Sequence, residues 1–598
     1  MRHSRTALRR RASFGLLAAA PLLVAVVPAY AAAPVPDAGF GTSGLLSVPA
    51  HVQLYDALVL AGGDVVTVAG GDDASSATDD PGVITRYTSA GATVATFGSG
   101  GTVSIAKAGY SIVFTHVENG PGGTLVAFGN YAKHSAECGG VAARVDATTG
   151  TPDPTFGTGG LALVTLGGHL GCAFHGSNGY VGGLSSGTVL PDGRVLLSTL
   201  YYPRTDHGRP SRIDPGRPYL AALTPAGAPS TVFGSGGTAI VPVGKLVDAG
   251  SPHVAADGAL LLGVSVNSGL RIPGVGYPIG SIGAVRLLPA GSLDSSFGGA
   301  GVALRRPFGY GSFSGTVDVV TQPGRRILVA GALSSDTIGD EYQDDVGVVR
   351  FTSIGGNDGT FARGKGYTRI PTMYVESLAR MNDGSVVIAG AQNNGPLFVT
   401  EPEVVGRMAH LSADGVADTT WGAGGVRDVK ATGAGQSLQA AVGIGTDGSL
   451  TFAGRTGTHK DPVTDLATWS GSLMRFTTPA PAAVRGAVEG RLSGAYGGWH
   501  SCGTSLVNAC TLGTTWYLTG SAWPREAHDP ARIVLQVQRF GADKVWRSYP
   551  TTSAFVTDDG AFRGTGKLVS VGSYRFRAAL PASSTTLLSY GPWSYGHR

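Results

Sequence analysis

Gly183-Leu184-Ser185-Ser186-Gly187 has the G-x-S-x-G form in which a serine on a strand-to-helix turn becomes a nucleophile. That chemistry needs a helix after the serine. Here the Pro191-Asp192-Gly193 hairpin follows, so the stretch reads as structural. Two acidic loops gather carboxylates as a calcium site would: Asp72, Asp73, Asp79 and Asp80, and Asp340, Glu341, Asp344 and Asp345. Neither has calcium-loop spacing, and both read as solvated. His169 and His175 flank Cys172, but no CxxC or HExxH accompanies them, so no metal and no cofactor is expected. The segment Tyr201-Tyr202-Pro203-Arg204, continuing through Arg209 and Arg212 to Arg217, mixes aromatics with guanidinium groups. Stacking and bidentate bonds of that kind suit a glycan or an anion. Tyr201, Tyr202, Arg204, Arg209 and Arg212 are therefore the candidate ligand-binding cluster, with a solvated insertion packed on its own tyrosines as the plain alternative. Near the C-terminus, Trp499, Trp516, Trp523 and Trp593 offer a carbohydrate platform, although tryptophans in a small sandwich more often form its core.

The elements that must position these residues are announced by a repeat. Phe97-Gly98-Ser99-Gly100-Gly101, Phe156-Gly157-Thr158-Gly159-Gly160, Phe233-Gly234-Ser235-Gly236-Gly237 and Phe297-Gly298-Gly299-Ala300-Gly301 are near copies. Phe40-Gly41, Trp421-Gly422 and a degraded Phe361-Ala362 extend the series to seven, at spacings of 57, 59, 77, 64, 64 and 60 residues. A period in this range signals a propeller, solenoid or array. Between copies the same signals return: a short strand, two apolar strands around a turn such as Asp257-Gly258, Asp383-Gly384 or Asp447-Gly448, a variable loop, and a strand carrying an arginine. Arg86, Arg144, Arg286, Arg350 and Arg475 hold that last position; Ala222 and Met408-Ala409 replace it in two modules. Four antiparallel strands of this kind cannot bury both faces alone, but stacked radially they can. The expectation is an all-β chain: a seven-bladed β-propeller over 32–476, a Pro/Ala linker over 477–483 and a small β-sandwich over 484–598. Gly44-Leu45-Leu46-Ser47-Val48 should complete the last blade, since no strand of that type follows Arg475-Phe476.

The series Phe-Gly-x-Gly-Gly, Asp-Gly-apolar-Ala-Gly, arginine strand, Asp-x-x-Phe-Gly resembles the bacterial delta-60 repeat over roughly residues 37–478. The resemblance implies a propeller-like fold and no assigned activity. The C-terminal stretch resembles the immunoglobulin-like sandwiches of exported bacterial proteins, mainly over 517–580.

Residues 1–31 read as a signal peptide: Arg9-Arg10-Arg11, an apolar run from Phe14 to Pro28, and Ala29-Tyr30-Ala31 at the cleavage point. Secretion to the extracellular space follows as an expectation, with no membrane span in the mature chain and a monomer as the simplest state. The whole chain is +4. Its signal carries five arginines, and residues 479–598 carry 12 Lys+Arg against 6 Asp+Glu, or +6, which leaves 4 − 5 − 6 = −7 for 32–478. An acidic body argues against nucleic acid as partner. The four cysteines, Cys138, Cys172, Cys502 and Cys510, are even in number, as disulfides in an exported chain require; within-domain pairs Cys138–Cys172 and Cys502–Cys510 are the economical choice among three connectivities. With no convergent acid/base set in view, the function expected is non-catalytic binding of an extracellular glycan, protein or cell-envelope component. A propeller enzyme acting on polysaccharide, as lyase or hydrolase, is the alternative.

Overall fold

A computed structural model describes residues 33–478 save 51–52, 71–78, 134–136, 166–185, 202–216, 244–245, 256, 272–277, 307–311, 335–343, 395–402, 430–435 and 458–468. Beyond 483 it describes 484–485, 487–494, 510–511, 515–523, 532–555, 561–580, 586–587, 589–590 and 593–598. These residues are almost wholly β; the helical elements among them are the single 3-10 turns Pro323–Arg325 and Ala423–Gly425. None of the described helices is long and apolar enough to cross a membrane.

The unit of construction is a four-stranded antiparallel meander. In one, Leu54–Val59 pairs Val65–Ala69, which pairs Gly82–Tyr87, which pairs Thr102–Ile105. The same order recurs from the innermost strands Ser111–Gly120, Ser186–Val189, Leu246–Val254, Ser312–Gln322, Tyr374–Arg380 and Gln436–Ile444. Each innermost strand packs against the next, and Gln436–Ile444 packs back on Leu54–Val59. The sheets thus follow one another around an axis as a β-propeller, with core clusters filling the spaces between neighbours. The sheet boundary lies one strand away from the sequence repeat: the short strand after each Phe-Gly motif is the outer strand of the preceding sheet.

The Phe-Gly motif is the joint between sheets. Phe40, Phe97, Phe156, Phe233, Phe297 and Phe361 are fully buried, each side chain contributing about 1.5–3 kcal/mol by leaving water. The amide of the following residue donates to a turn carbonyl of the next sheet. Gly98 N–H reaches Thr149 O at 2.8 Å, Gly157 N–H reaches Ala226 O at 2.9 Å, and Ala362 N–H reaches Asp414 O at 2.7 Å. The incoming turn must come very close. At Gly415 (φ +76°) a Cβ would lie 2.2 Å from the Phe361 ring, so only glycine fits.

The strand arginine locks the same joint. Arg350 is 1% exposed; Nε donates to Asp358 Oδ2 at 2.8 Å, Nη1 to Ala413 O of the next sheet at 2.5 Å, and Nη2 to Thr360 Oγ1 at 2.9 Å. Its guanidinium lies 4.6 Å over the Phe361 ring. Arg144 repeats the pattern with Asp153, Pro225 O, Thr155 and Phe156. The sequence places Met408-Ala409 at the arginine position of its module, but the residue equivalent in structure is His410, whose carbonyl accepts from Asp418 N–H as that of Arg350 does from Asp358 N–H. Its Nδ1 lies 2.9 Å from Asp418 Oδ2, and its ring stacks 4.3 Å from Trp421. An imidazole on an indole here does the work of a guanidinium on a phenyl ring.

The N-terminal residues complete the last sheet. Leu45–Ala50 pairs Trp469–Thr477 as expected, and Val35–Pro36 adds a short pairing to the same strand. Arg475 N–H donates to Gly44 O at 2.8 Å and Asp37 N–H to Arg475 O at 2.9 Å, copying the bonds of Arg144 with Gly160 and Asp153.

Toward the C-terminus, Ala487–Gly494, Thr515–Trp523 and Ala561–Lys567 form one sheet, and Arg532–Phe540, Trp546–Phe555, Ser573–Leu580 and Ser594–His597 belong to another. Their inward residues, including Leu492, Trp516, Leu535, Phe562 and Phe576, make one shared core. The Tyr574 hydroxyl donates back to Ser570 O at 2.6 Å, fixing the entry to its strand.

Candidate active site on the propeller axis

Most innermost strands carry a register slip near their start, for example between Leu54 and Asp56, Phe114 and His116, and Val375 and Ser377. A bulge of this kind re-aims the next side chain. Counted from the hairpin, the same position is occupied by Asp56 (opposite Val68), His116 (opposite Phe128), Ser186 (opposite Ser198), Asp318 (opposite Ala330), Ser377 (opposite Ala389) and Ala441 (opposite Ala453). The closed order of inner strands gathers these residues around the axis.

There they interact across sheets. His116 Nδ1 is 2.6 Å from Asp56 Oδ2, and its Nε2 is 3.3 Å from Glu118 Oε1. Glu118 Oε2 accepts from Thr188 Oγ1 at 3.0 Å and from Val189 N–H at 2.8 Å. Ser186 and Ser251 hydroxyls meet at 2.8 Å, and His253 Nε2 lies 3.0 Å from Thr321 Oγ1. Backbone amides fix the carboxylates: Asp56 accepts from Ala57 and Val117, Asp318 from Val319 and Leu378. The side chains stay partly exposed, His116 at 26% and Glu118 at 30%.

The electrostatics separate these groups. Burial would depress the His116 imidazole, but the Asp56 charge, its hydrogen bond and Glu118 prevail and hold it up at about 10, so it is an imidazolium at neutral pH. Burial raises the Asp318 carboxyl to about 6 against its two amide donors, with His116 pulling it down and Asp56 pushing it up. Asp248 is likewise pushed to about 6 by burial. His253 is depressed to about 4, first by burial and then by the Arg380 charge, and stays neutral. The axis therefore holds a fixed cation, a neutral imidazole, and a carboxyl poised to hold a proton near neutrality.

Of the residues singled out from sequence, only some are described. Tyr201 ends the strand Val195–Tyr201 opposite Arg217, while Tyr202, Arg204, Arg209 and Arg212 lie outside the described residues. So do His169, Cys172, His175, Ser185 and Cys502. Cys138 stands opposite Ala132 in Glu137–Asp146, and Cys510 opens Cys510–Thr511. Ser186 enters an inner strand rather than a strand-to-helix turn. Among the described acidic-loop residues, Asp79 accepts from Gly109 N–H and Asp345 pairs with Arg369, so both are held by protein groups. Among the described residues no group of His, Cys, Asp and Glu has the arrangement of a metal site. Trp516 is core, and Trp593 stacks with arginines. The axial set was missed because each module contributes a different residue. The one signal was a carboxylate inside an apolar inner strand, as in Tyr55-Asp56-Ala57-Leu58 and Val317-Asp318-Val319-Val320.

No protein-family model and no curated protein matches the chain. Solved structures do show likeness. A β-fructofuranosidase of Bombyx mori in complex with sucrose is 11% identical, covering 69% of this chain and 88% of its own, with TM-score 0.26. An α-L-arabinofuranosidase of Fusarium graminearum is 9% identical, covering 75% and 98%, with TM-score 0.30. A polysaccharide lyase, an ulvan lyase bound to a sulfated glycan fragment, is 12% identical, covering 60% and 79%, with TM-score 0.32. At these identities and scores the likeness concerns the fold alone. The expectation of a non-catalytic binding protein rested on the lack of a convergent acid/base set, and it is corrected by the set that stands on the axis.

Proposed function

We propose that this chain is an exported propeller enzyme acting on a polysaccharide, as a hydrolase or a lyase, with its centre on the axis. The observation that carries this reading is the Asp56–His116–Glu118 cluster beside Asp318, whose carboxyl titrates at about 6. Two carboxyl groups held in different protonation states are what glycosidic cleavage needs. Asp318 acts as general acid and gives its proton to the leaving glycosidic oxygen. Asp56, paired with the His116 imidazolium, is the partner that acts as base or nucleophile. In an eliminating enzyme the His116 imidazolium would neutralise a uronate while a carboxylate removes the adjacent proton.

The architecture that goes with this reading is a seven-bladed propeller of delta-60 type over 32–476, a linker over 477–483 and an immunoglobulin-like sandwich over 484–598. It is delivered by the signal peptide 1–31 to the extracellular space as a monomer, with disulfides Cys138–Cys172 and Cys502–Cys510. Tyr201, Tyr202, Arg204, Arg209 and Arg212 would guide the glycan at the rim. Function commonly sits on loops that a rigid scaffold positions.

The test is turnover of a polysaccharide panel, followed both by new reducing ends and by the ultraviolet absorbance of unsaturated uronates, which only a lyase produces. Asp318→Asn should lower turnover by roughly 10²–10⁴. Equal turnover by the variant, or no turnover of any acidic or neutral polysaccharide by the parent, overturns the proposal.

A further inference from the structure

The outward face of the C-terminal sheet has a composition that its fold does not require. Arg532–Phe540, Trp546–Phe555, Ser573–Leu580 and Ser594–His597 contain no Asp or Glu; of their arginines, Arg575 and Arg577 hold outward positions, whereas Arg539, opposite Tyr574, and Arg547, opposite Arg539, share the register of the core residues. Their inward residues, such as Leu535, Val537, Tyr574 and Phe576, are 0–1% exposed and satisfy the core. The alternate positions face away from that core. There Arg575 lies between Gln538 and Tyr595 on neighbouring strands, Arg577 lies opposite Gln536, and Trp546 lies opposite Phe540.

These side chains form a ladder. The Arg575 guanidinium is 4.6 Å from the Trp546 ring centre and 4.3 Å from that of Trp593, and Arg577 is 4.3 Å from Trp593. Arg575 Nε donates to Gln538 Oε1 at 2.7 Å and its Nη2 reaches the same oxygen; Arg577 Nε donates to Gln536 Oε1 at 2.8 Å. The amides fix the guanidinium planes against the indoles without cancelling their charge. Arg575 and Arg577 alternate on one strand, so the charges repeat at roughly 7 Å along it.

We propose that this face binds a uronate-bearing polysaccharide, as an attachment site separate from the axial chemistry. A stacked guanidinium keeps an N–H edge for a carboxylate, and indole and phenol rings offer apolar faces to the C–H surface of a pyranose. A neutral glycan would leave the charge unanswered. The net +6 of residues 479–598 against −7 over 32–478 concentrates the attraction for an anion on this unit.

The experiment is affinity electrophoresis of the full chain in gels containing polygalacturonate, its methyl ester or neutral galactan, with parallel arms using a single-stranded oligonucleotide and anionic lipid vesicles. Retardation by polygalacturonate alone is expected, about tenfold weaker for Arg575→Gln and restored only in part by Arg575→Lys, which keeps the charge but loses the fork. Trp593→Phe, which keeps an aromatic ring under both arginines, guards against loss of folding and should retain most of the retardation. Turnover of a soluble oligosaccharide at the axis should be unchanged in all three variants, which separates this site from the proposed active site. No retardation by polygalacturonate, equal retardation by its methyl ester, equal binding of oligonucleotide or vesicles, or full retention by Arg575→Gln each overturns the inference.

Discussion

Replacing Arg350 by Met keeps most of the side-chain volume and removes the charge at the best-buried of the inter-sheet locks. The wild-type guanidinium makes four hydrogen bonds, to Asp358, Thr360, Gln322 and Ala413 O, while 1% exposed. Its loss strands the Asp358 carboxylate, whose side chain is 5% exposed. Breaking a buried pair from one side costs about 3–5 kcal/mol. Arg326 Nε, 3.1 Å from the same Asp358 oxygen, and the Thr360 N–H and O–H remain, so the expected cost is at the low end, about 3 kcal/mol. Asp358→Asn in the Arg350→Met background removes the stranded charge and should recover about 2 kcal/mol, so the coupling in a double-mutant cycle is about 2 kcal/mol plus the cost of Asp358→Asn alone. The assay is urea unfolding followed by tryptophan fluorescence, with Arg547→Ala as the contrast. The Arg547–Asp543 pair is exposed, so that change should leave the urea midpoint nearly where it was. An Arg350→Met cost below about 1 kcal/mol, or a double variant no better than the single, would show that the lock is not an energetic joint.

Asp318 gives a prediction of opposite sign. Its folded pKa of about 6 exceeds the carboxylate value of 3.8, so its contribution to stability is fully present below pH 3.8 and is lost as pH rises through 6. Asp318→Asn removes a penalty of about 3 kcal/mol at pH 8 and sacrifices one amide acceptor worth about 1 kcal/mol. The variant should melt higher than the parent at pH 8, and the advantage should vanish near pH 4; a lower melting temperature at pH 8 would mean that Asp318 is not strained. Gly415→Ala combines a positive φ with a Cβ 2.2 Å from Phe361, so a loss of several kcal/mol is expected in the same urea assay, whereas Gly100→Ala, with open space around its Cβ, should cost about 1 kcal/mol.

The joints were legible in the sequence because they recur. Phe, Gly, Arg and Asp return at fixed offsets since every sheet solves one packing problem against its neighbour. His410 escaped for a physical reason: imidazole, unlike guanidinium, cannot reach the next sheet's carbonyl, and it is recognisable only by its bonds to Asp418 and Trp421. The axial cluster was illegible for the converse reason. Around the axis stand Asp56, His116, Ser186, Asp318, Ser377 and Ala441, one from each of several inner strands, with no residue type common to the position. Only the closing of the ring makes them neighbours. The tryptophans divide along the strand period: Trp516 falls on the core face, whereas Trp546 and Trp593 stack on the outward arginines.

The pairing of Leu45–Ala50 with Trp469–Thr477 sets a schedule for the nascent chain. About 420 residues separate the two strands, and at a synthesis rate of about 5–20 residues per second the first waits roughly 20–80 s for the second to exist. Until then the early sheets can stack, but Phe40 lacks the Arg475 that covers it, and the segment bearing it is loose. A ribosome that stops short of residue 469 releases an open arc with a protruding N-terminal tail. That tail is an exposed terminus of the kind at which proteolysis concentrates. Only a chain translated past Trp469–Thr477 can pair Leu45–Ala50 and cover its own beginning.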